Sequence, residues 1–72
     1  MSTPKIQLDP YEQARDRLLK TRRLAANALR FLDDAEGRFG NRVLVEGFLV
    51  QASDNARKTV EAIEDVRKML RQ

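Results

Sequence analysis

The hydrophobic positions of this chain repeat with the spacing of an α-helix, in two separate blocks. In the first block, apolar and small residues recur every three or four positions, which places them on one stripe of a helix. These residues are Tyr11, Ala14, Leu18, Thr21, Ala25, Ala28, Leu32, Ala35 and Phe39. Leu24 and Phe31 widen the stripe on one flank. The pattern predicts an amphipathic helix in the first half of the chain.

The second block has the same period but a different phase. Its stripe consists of Val45, Leu49, Ala52, Ala56, Thr59, Ile63, Val66 and Leu70, and its flank of Phe48, Ala62 and Met69. Counting in sevens from Phe39 leads to Glu46 and Ser53, which are polar, so the first register does not continue. Either one long helix shifts its register here, or the chain breaks into two helices.

Residues at the expected helix ends favour the break. Asp9, with Glu12 three positions later, is typical of a capped helix start. Gly37 and Gly40, followed by Asn41, are typical of a helix end, a turn and a new N-cap. We therefore predict two helices joined by a turn rather than one continuous rod.

The segment RVLVEGFLV, residues 42–50, could also form a strand, because valine and phenylalanine favour strands. A strand here would have no second strand to pair with, and its backbone groups would lack partners. Its apolar residues also continue the helical stripe. The predicted fold is thus all-α, an antiparallel two-helix hairpin with helices at about 10–38 and 42–71. Residues 1–8 are expected to be a flexible tail, and residues 9–72 a single hairpin domain.

Self-association is expected because the hairpin is small. A chain of 72 residues rarely builds a core worth more than about 3–5 kcal/mol, and this one has no cysteine for a disulfide. Alanines on both stripes let the helices approach closely, and we expect the larger flank residues to stay uncovered in a single hairpin. Two hairpins packed into a four-helix bundle would cover them. We therefore expect a homodimer, with a heteromeric partner, or a monomer or higher assembly, as the alternatives. The predicted oligomer interface is Leu24, Ala28, Phe31, Ala52, Ala56 and Met69.

The composition offers little catalytic chemistry. The absence of cysteine and histidine removes thiolate nucleophiles, the usual zinc sites and imidazole catalysis. The acidic cluster Asp33, Asp34 and Glu36 is interpreted as surface charge, since a hard cation needs several converging oxygens. The glycines of GRFGN lack the spacing of a phosphate-binding loop. We predict no enzyme activity, no catalytic residues, no cofactor and no metal.

Apolar residues near the turn predict a protein-binding surface. Val43, Leu44 and Val50 fall off the helical stripe, where polar residues are expected. With Phe39 and Phe48 they would form a contiguous apolar patch, and such patches usually mark interaction sites. The leading hypothesis is an adaptor, chaperone or inhibitor that binds a protein partner through this end. Burial of the patch within the dimer, or use of the chain as a polymerising structural subunit, are the alternatives.

Basic residues on the first helix suggest a different partner. Arg15, Arg22, Arg23 and Arg30 recur at intervals of seven and eight residues and could follow a phosphate backbone. The overall charge is only +3, Asp16 interrupts the strip, and no aromatic residue is interleaved for base stacking. Nucleic-acid binding is therefore the alternative hypothesis.

The sequence also predicts a cellular location. No apolar run reaches the roughly 20 residues of a membrane span, and the opening MSTPKIQLDP lacks the apolar stretch of a signal peptide. We expect a cytoplasmic protein without a membrane span. The arginine-rich, cysteine-free composition is compatible with a bacterial or phage source, and no sequence motif identifies a family.

Overall fold

The computed structural model describes residues 9–71 and contains two α-helices packed side by side. Helix α1 spans Pro10–Gly37 and helix α2 spans Arg42–Leu70. The helices are antiparallel, because Arg17 near the start of α1 bonds to Asp65 near the end of α2. The predicted hairpin is confirmed, with helix ends within one residue of the expected positions. The predicted tail, residues 1–8, lies outside the described residues.

Both helices begin at polar caps, as the sequence predicts. The Asp9 carboxylate accepts a hydrogen bond from the Glu12 backbone N–H at 2.8 Å. The Asn41 side-chain oxygen accepts from the Leu44 backbone N–H at 3.2 Å. Each bond satisfies a backbone donor that has no partner within the first turn of its helix. These local contacts fix where the two helices start.

The turn between the helices closes without a left-handed residue. The Arg38 N–H donates to the Ala35 carbonyl at 3.1 Å, and the Asn41 N–H donates to the Arg38 carbonyl at 2.8 Å. No residue in the described range has a positive φ angle. The expected glycine C-cap is therefore replaced by Arg38, with Gly37 as the last helical residue. Bonds between residues three apart tighten this end of α1 and satisfy its carbonyls.

The seam between the helices follows a heptad, in which positions a and d face the other helix. On α1 the a residues are Ala14, Thr21, Ala28 and Ala35, and the half-buried d residues are Leu24 and Phe31. On α2 the a residues are Val45, Ala52, Thr59 and Val66, and the d residues are Phe48, Asn55, Ala62 and Met69. Alanines are the most buried of these hydrophobic residues, and among residues 9–71 no large side chain is completely buried. The seam is therefore narrow and close-packed.

The seam is not the same set of residues as the stripe inferred from the sequence, because it is shifted towards the flank of that stripe. The expectation that Leu24, Phe31, Phe48 and Met69 stay uncovered in a single hairpin is wrong, because all four are half-buried between the helices. The Phe31 and Phe48 ring centroids lie 6.5 Å apart. Small residues at the a positions bring the helices close enough for these larger side chains to reach across. The stripe read from the sequence therefore contains both seam residues and a second row, to which Leu18 and Leu32 belong, that lies outside the seam.

Enlarging a seam alanine tests the close packing. We expect Ala52→Leu to destabilise the hairpin by about 1–3 kcal/mol, because Ala52 is only 5% exposed and has no room for three further carbons. Chemical denaturation monitored by circular dichroism measures this free energy. Ala26→Leu is the matched control, because Ala26 is exposed on α1 and its replacement should change stability by less than about 0.5 kcal/mol. Equal effects of the two substitutions would contradict a close-packed seam.

Candidate protein-interaction surfaces

One broad side of the hairpin exposes two rows of apolar residues, which we call the apolar face. The α1 row is Tyr11, Leu18, Ala25, Leu32 and Phe39, and the α2 row is Leu49, Ala56, Ile63 and Leu70. Within each row the residues are seven apart, at heptad position e. In an antiparallel pair the two e rows lie on the same side of the seam. The seven residues larger than alanine in these rows are all exposed.

The two rows are in register across the face. Tyr11, Leu18 and Leu70 line one shallow cleft, which places Tyr11 near Leu70 at the end of the hairpin opposite the turn. Because the helices are antiparallel, seven residues forward on α1 correspond to seven residues back on α2. Ala25 therefore lies level with Ala56, in the middle of the face. Large residues occupy both ends of the face and alanines occupy its centre.

The opposite side of the hairpin is polar and charged. Its central rows, at heptad position g, are Gln13, Lys20, Asn27 and Asp34 on α1, and Leu44, Gln51, Lys58 and Asp65 on α2. Arg17 Nη2 donates to Asp65 Oδ2 across the helices at 3.2 Å, and Lys20 lies 3.6 Å from Asp16. With a single leucine in these rows, this side resists association through apolar contacts.

The residues predicted to bind a partner near the turn do not form one surface. Val43 and Val50 lie together on the outer side of α2, where Val43 is 79% exposed. Leu44 lies in a central row of the polar side, Phe39 belongs to the apolar face, and Phe48 is half-buried in the seam. The structure therefore brings two of the five residues together and separates the other three.

Val43 and Val50 have a glycine between them on the helix surface. Gly47 lies four residues after Val43 and three before Val50, so the three share one side of α2. A Cβ atom added to Gly47 would meet nothing within 4 Å. Glycine inside a helix costs about 1 kcal/mol relative to alanine, and no contact within the described residues explains it here. We call Val43, Gly47 and Val50 the outer patch.

The residues predicted to form the oligomer interface lie mainly inside the hairpin. Leu24, Ala28, Phe31, Ala52 and Met69 all belong to the seam between the chain's own helices, and Ala56 is exposed on the apolar face. The sequence pattern places the apolar face and the seam on a single stripe. Seam and face both repeat every seven residues, so the interval alone does not separate them. The sequence signal is residue size, because mostly small residues of the seam run beside large residues from Leu18 to Leu32 and from Leu49 to Leu70.

The four arginines of the predicted basic strip are exposed on the outer surface of α1. Arg15 and Arg22 lie on the side of the apolar face, whereas Arg23 and Arg30 lie on the side of the polar rows. None of the four forms an ion pair with another residue between positions 9 and 71. The strip thus divides into two edges with uncompensated positive charge.

The ionisable groups show surface pairing rather than a reactive cluster. The Lys58 ammonium, 3.2 Å from Asp54 Oδ2, lowers the pKa of Asp54 through a hydrogen bond and its charge, and Arg57 acts in the same direction. Asp54 accepts from Arg57 Nη2 at 2.6 Å. No three metal-ligating side chains converge within residues 9–71. Neither described helix is long and apolar enough to cross a membrane.

Comparisons with known proteins give no lead to a family. No family model, curated protein or solved structure matches this chain. The surfaces of the hairpin are therefore the basis for assigning a function.

Proposed function

We propose that this chain is a small non-enzymatic interaction module, which pairs with another copy through its apolar face and binds a protein partner through its outer patch. The apolar face carries the proposal. Monomeric proteins expose single hydrophobic residues at random, whereas contiguous apolar patches generally mark interaction sites. In this hairpin the large apolar residues of the face are exposed to solvent and the buried residues of the seam are mostly alanines. An ordinary core has the opposite arrangement.

The size of the face supports pairing on energetic grounds. Burying a leucine-sized side chain completely is worth about 1.5–3 kcal/mol, so a half-covered one has about 1 kcal/mol left to gain. Seven such residues on the face are exposed in each copy. The free energy gained by covering these residues in both copies is then similar to the upper end of the free-energy cost of association, which is about 4–15 kcal/mol. A four-helix bundle is the architecture that covers both faces at once.

The outer patch would remain accessible after such pairing. Val43 and Val50 occupy heptad position f, on the side of α2 that points away from both the seam and the apolar face. The open space above Gly47 would let a partner helix approach the α2 backbone closely. Pairing and partner binding therefore use separate surfaces, as an adaptor, chaperone or inhibitor requires.

Two adjacent leucines provide a matched test of self-association. Leu18 lies on the apolar face and Leu19 on the outer surface of α1, and both are about half exposed. We expect Leu18→Gln to weaken dimerisation by roughly ten-fold or more in the dissociation constant, because a polar group would enter the interface. Leu19→Gln should leave it unchanged. Sedimentation equilibrium measures both, and equal dissociation constants for the two variants would refute the apolar face as the interface.

The outer patch is tested by capture of a partner. We expect Val43→Ser combined with Val50→Ser to abolish retention of the partner on the immobilised protein, because two apolar contacts are lost, while dimerisation persists. Leu19→Ser is the control for an exposed apolar residue elsewhere. Quantitative mass spectrometry of proteins retained from native lysate gives the measurement. Unchanged retention by the double variant would exclude the outer patch.

Nucleic-acid binding is a second candidate function, favoured by the unpaired arginines of α1. We expect Arg22→Gln combined with Arg23→Gln to reduce binding to a DNA or RNA duplex, because each removes a phosphate contact. Binding should also fall steeply between low and moderate salt. Arg57→Gln is the control, because Arg57 is already paired with Asp54. Fluorescence anisotropy at two salt concentrations measures the effect, and salt-insensitive binding would rule this function out.

A further inference from the structure

Eight residues flank the apolar face along its two long edges, and we call them the rim. On α1 they are Arg15, Arg22, Leu29 and Glu36, and on α2 they are Glu46, Ser53, Val60 and Arg67. Each rim residue precedes a residue of the e row by three positions, so the two share one side of the helix. All eight are exposed. Any protein that covers the apolar face must therefore also meet the rim.

The charges of the rim are separated along the hairpin. Arg15, Arg22 and Arg67 lie away from the turn, and Glu36 and Glu46 lie towards it. Arg15, Glu36 and Glu46 form no ion pair within the described part of the chain, whereas Arg67 pairs with Glu64 at 3.0 Å. The rim is thus positive at one end and negative at the other, and four of its five charges, Arg22 included, form no ion pair within residues 9–71.

A second copy can cover the face in two symmetric ways. In the first, both turns lie at the same end, and α1 of one copy packs on α2 of the other. Arg15 then lies beside Arg67 of the second copy, and Glu36 beside Glu46 of the second copy. Each dimer contains both contacts twice, and every one of them joins like charges. Like charges placed opposite each other disfavour a complex.

In the second way, the turns lie at opposite ends and each helix packs on its own counterpart. The twofold axis then passes beside Ala25 and Ala56. Arg15 lies ten residues before Ala25 and Glu36 eleven residues after it, so Arg15 comes level with Glu36 of the second copy. By the same spacing about Ala56, Glu46 comes level with Arg67 of the second copy. The four contacts of Arg15 with Glu36 and of Glu46 with Arg67 then join opposite charges, and Arg22 comes level with the uncharged Leu29.

The apolar residues fit both arrangements, so the charges decide between them. With turns at opposite ends, Leu18 packs on Leu32 of the second copy, and Ala25 meets itself at the axis. With turns at the same end, Leu18 meets Ile63 and Ala25 meets Ala56. Both arrangements put alanine on alanine and large apolar side chains on one another, except that Arg42 meets Leu70 of the second copy when the turns are opposite and Phe39 when they are at the same end. An isologous interface requires a surface that complements itself, and the rim does so only when the turns are opposite.

We infer that the partner on the apolar face is a second copy of this chain, turned so that the two turns lie at opposite ends of a four-helix bundle. This inference rests on the self-association proposed above and specifies its geometry. The rim pairs Arg15 with Glu36 and Glu46 with Arg67 between copies. These charge pairs set the orientation of the two copies, while the apolar rows supply the affinity.

Charge reversal at the rim tests the orientation. Arg15→Glu and Glu36→Arg should each weaken the dimer by roughly ten-fold at low salt, because each dimer contains the contact twice. The double variant should recover the original affinity, since the pairs are restored with inverted sign. These differences should shrink at high salt, where exposed charges are screened. Arg30→Glu is the control, because it makes the same charge change on an exposed arginine away from the rim. Sedimentation equilibrium measures all four variants.

Cysteine cross-linking gives an independent reading, because the natural chain has no cysteine. With the turns at opposite ends, the Ala25→Cys variant alone should form a disulfide-linked dimer on mild oxidation. With the turns at the same end, cross-linking would require a mixture of Ala25→Cys and Ala56→Cys chains. Non-reducing electrophoresis distinguishes the two results.

The outcomes separate this inference from the function on which it rests. A dimer that Arg15→Glu strengthens, and that cross-links only in the mixture, would overturn the orientation and leave self-association standing. An original chain that stays monomeric at high concentration would overturn both. The opposite-end dimer is supported by three results together. Each single charge reversal weakens the dimer, the double variant recovers its affinity, and the Ala25→Cys variant cross-links by itself.

Discussion

The close approach of the two helices along a seam of small residues is the constraint on which the rest of the structure depends. Ala14, Ala35, Ala52 and Ala62 are the most buried apolar residues of the described chain. Burying an alanine removes little apolar surface from water, about 0.8 kcal/mol for one carbon. The seam therefore holds the helices at short distance but supplies a small core. The stabilisation that an ordinary domain takes from buried leucine, isoleucine and phenylalanine is largely unused within one hairpin.

That constraint explains why the two broad sides of the hairpin differ. Large apolar residues that the narrow seam cannot hold lie in two rows on one side, whereas the other side carries the Arg17–Asp65 pair and a series of polar residues. Association through the apolar face would bury the side that gains from leaving water and keep the charged side solvated. A one-sided hairpin of this kind can assemble by a single face without aggregating through the other.

In the proposed dimer, the remaining surfaces of the hairpin would stay accessible to a further partner. The outer patch on α2 lies away from both the seam and the apolar face, and the arginines Arg23 and Arg30 lie on the polar side of α1. The ion pairs of Asp54 with Arg57 and Lys58 are exposed, and such pairs contribute little to stability.

The sequence by itself determined the features that depend on neighbouring residues: the two helices, their capped starts at Asp9 and Asn41, and the break between them. These follow from hydrogen bonds and periodicity within a few positions along the chain. Only the tertiary structure decided which part of each stripe faces the other helix. Positions a, d and e all lie on one side of a helix, and the pattern alone cannot rank them. Leu24, Phe31 and Phe48 therefore enter the seam while Leu18, Leu32 and Ile63 remain outside, because the distance between the helices is set by the small residues that meet across them.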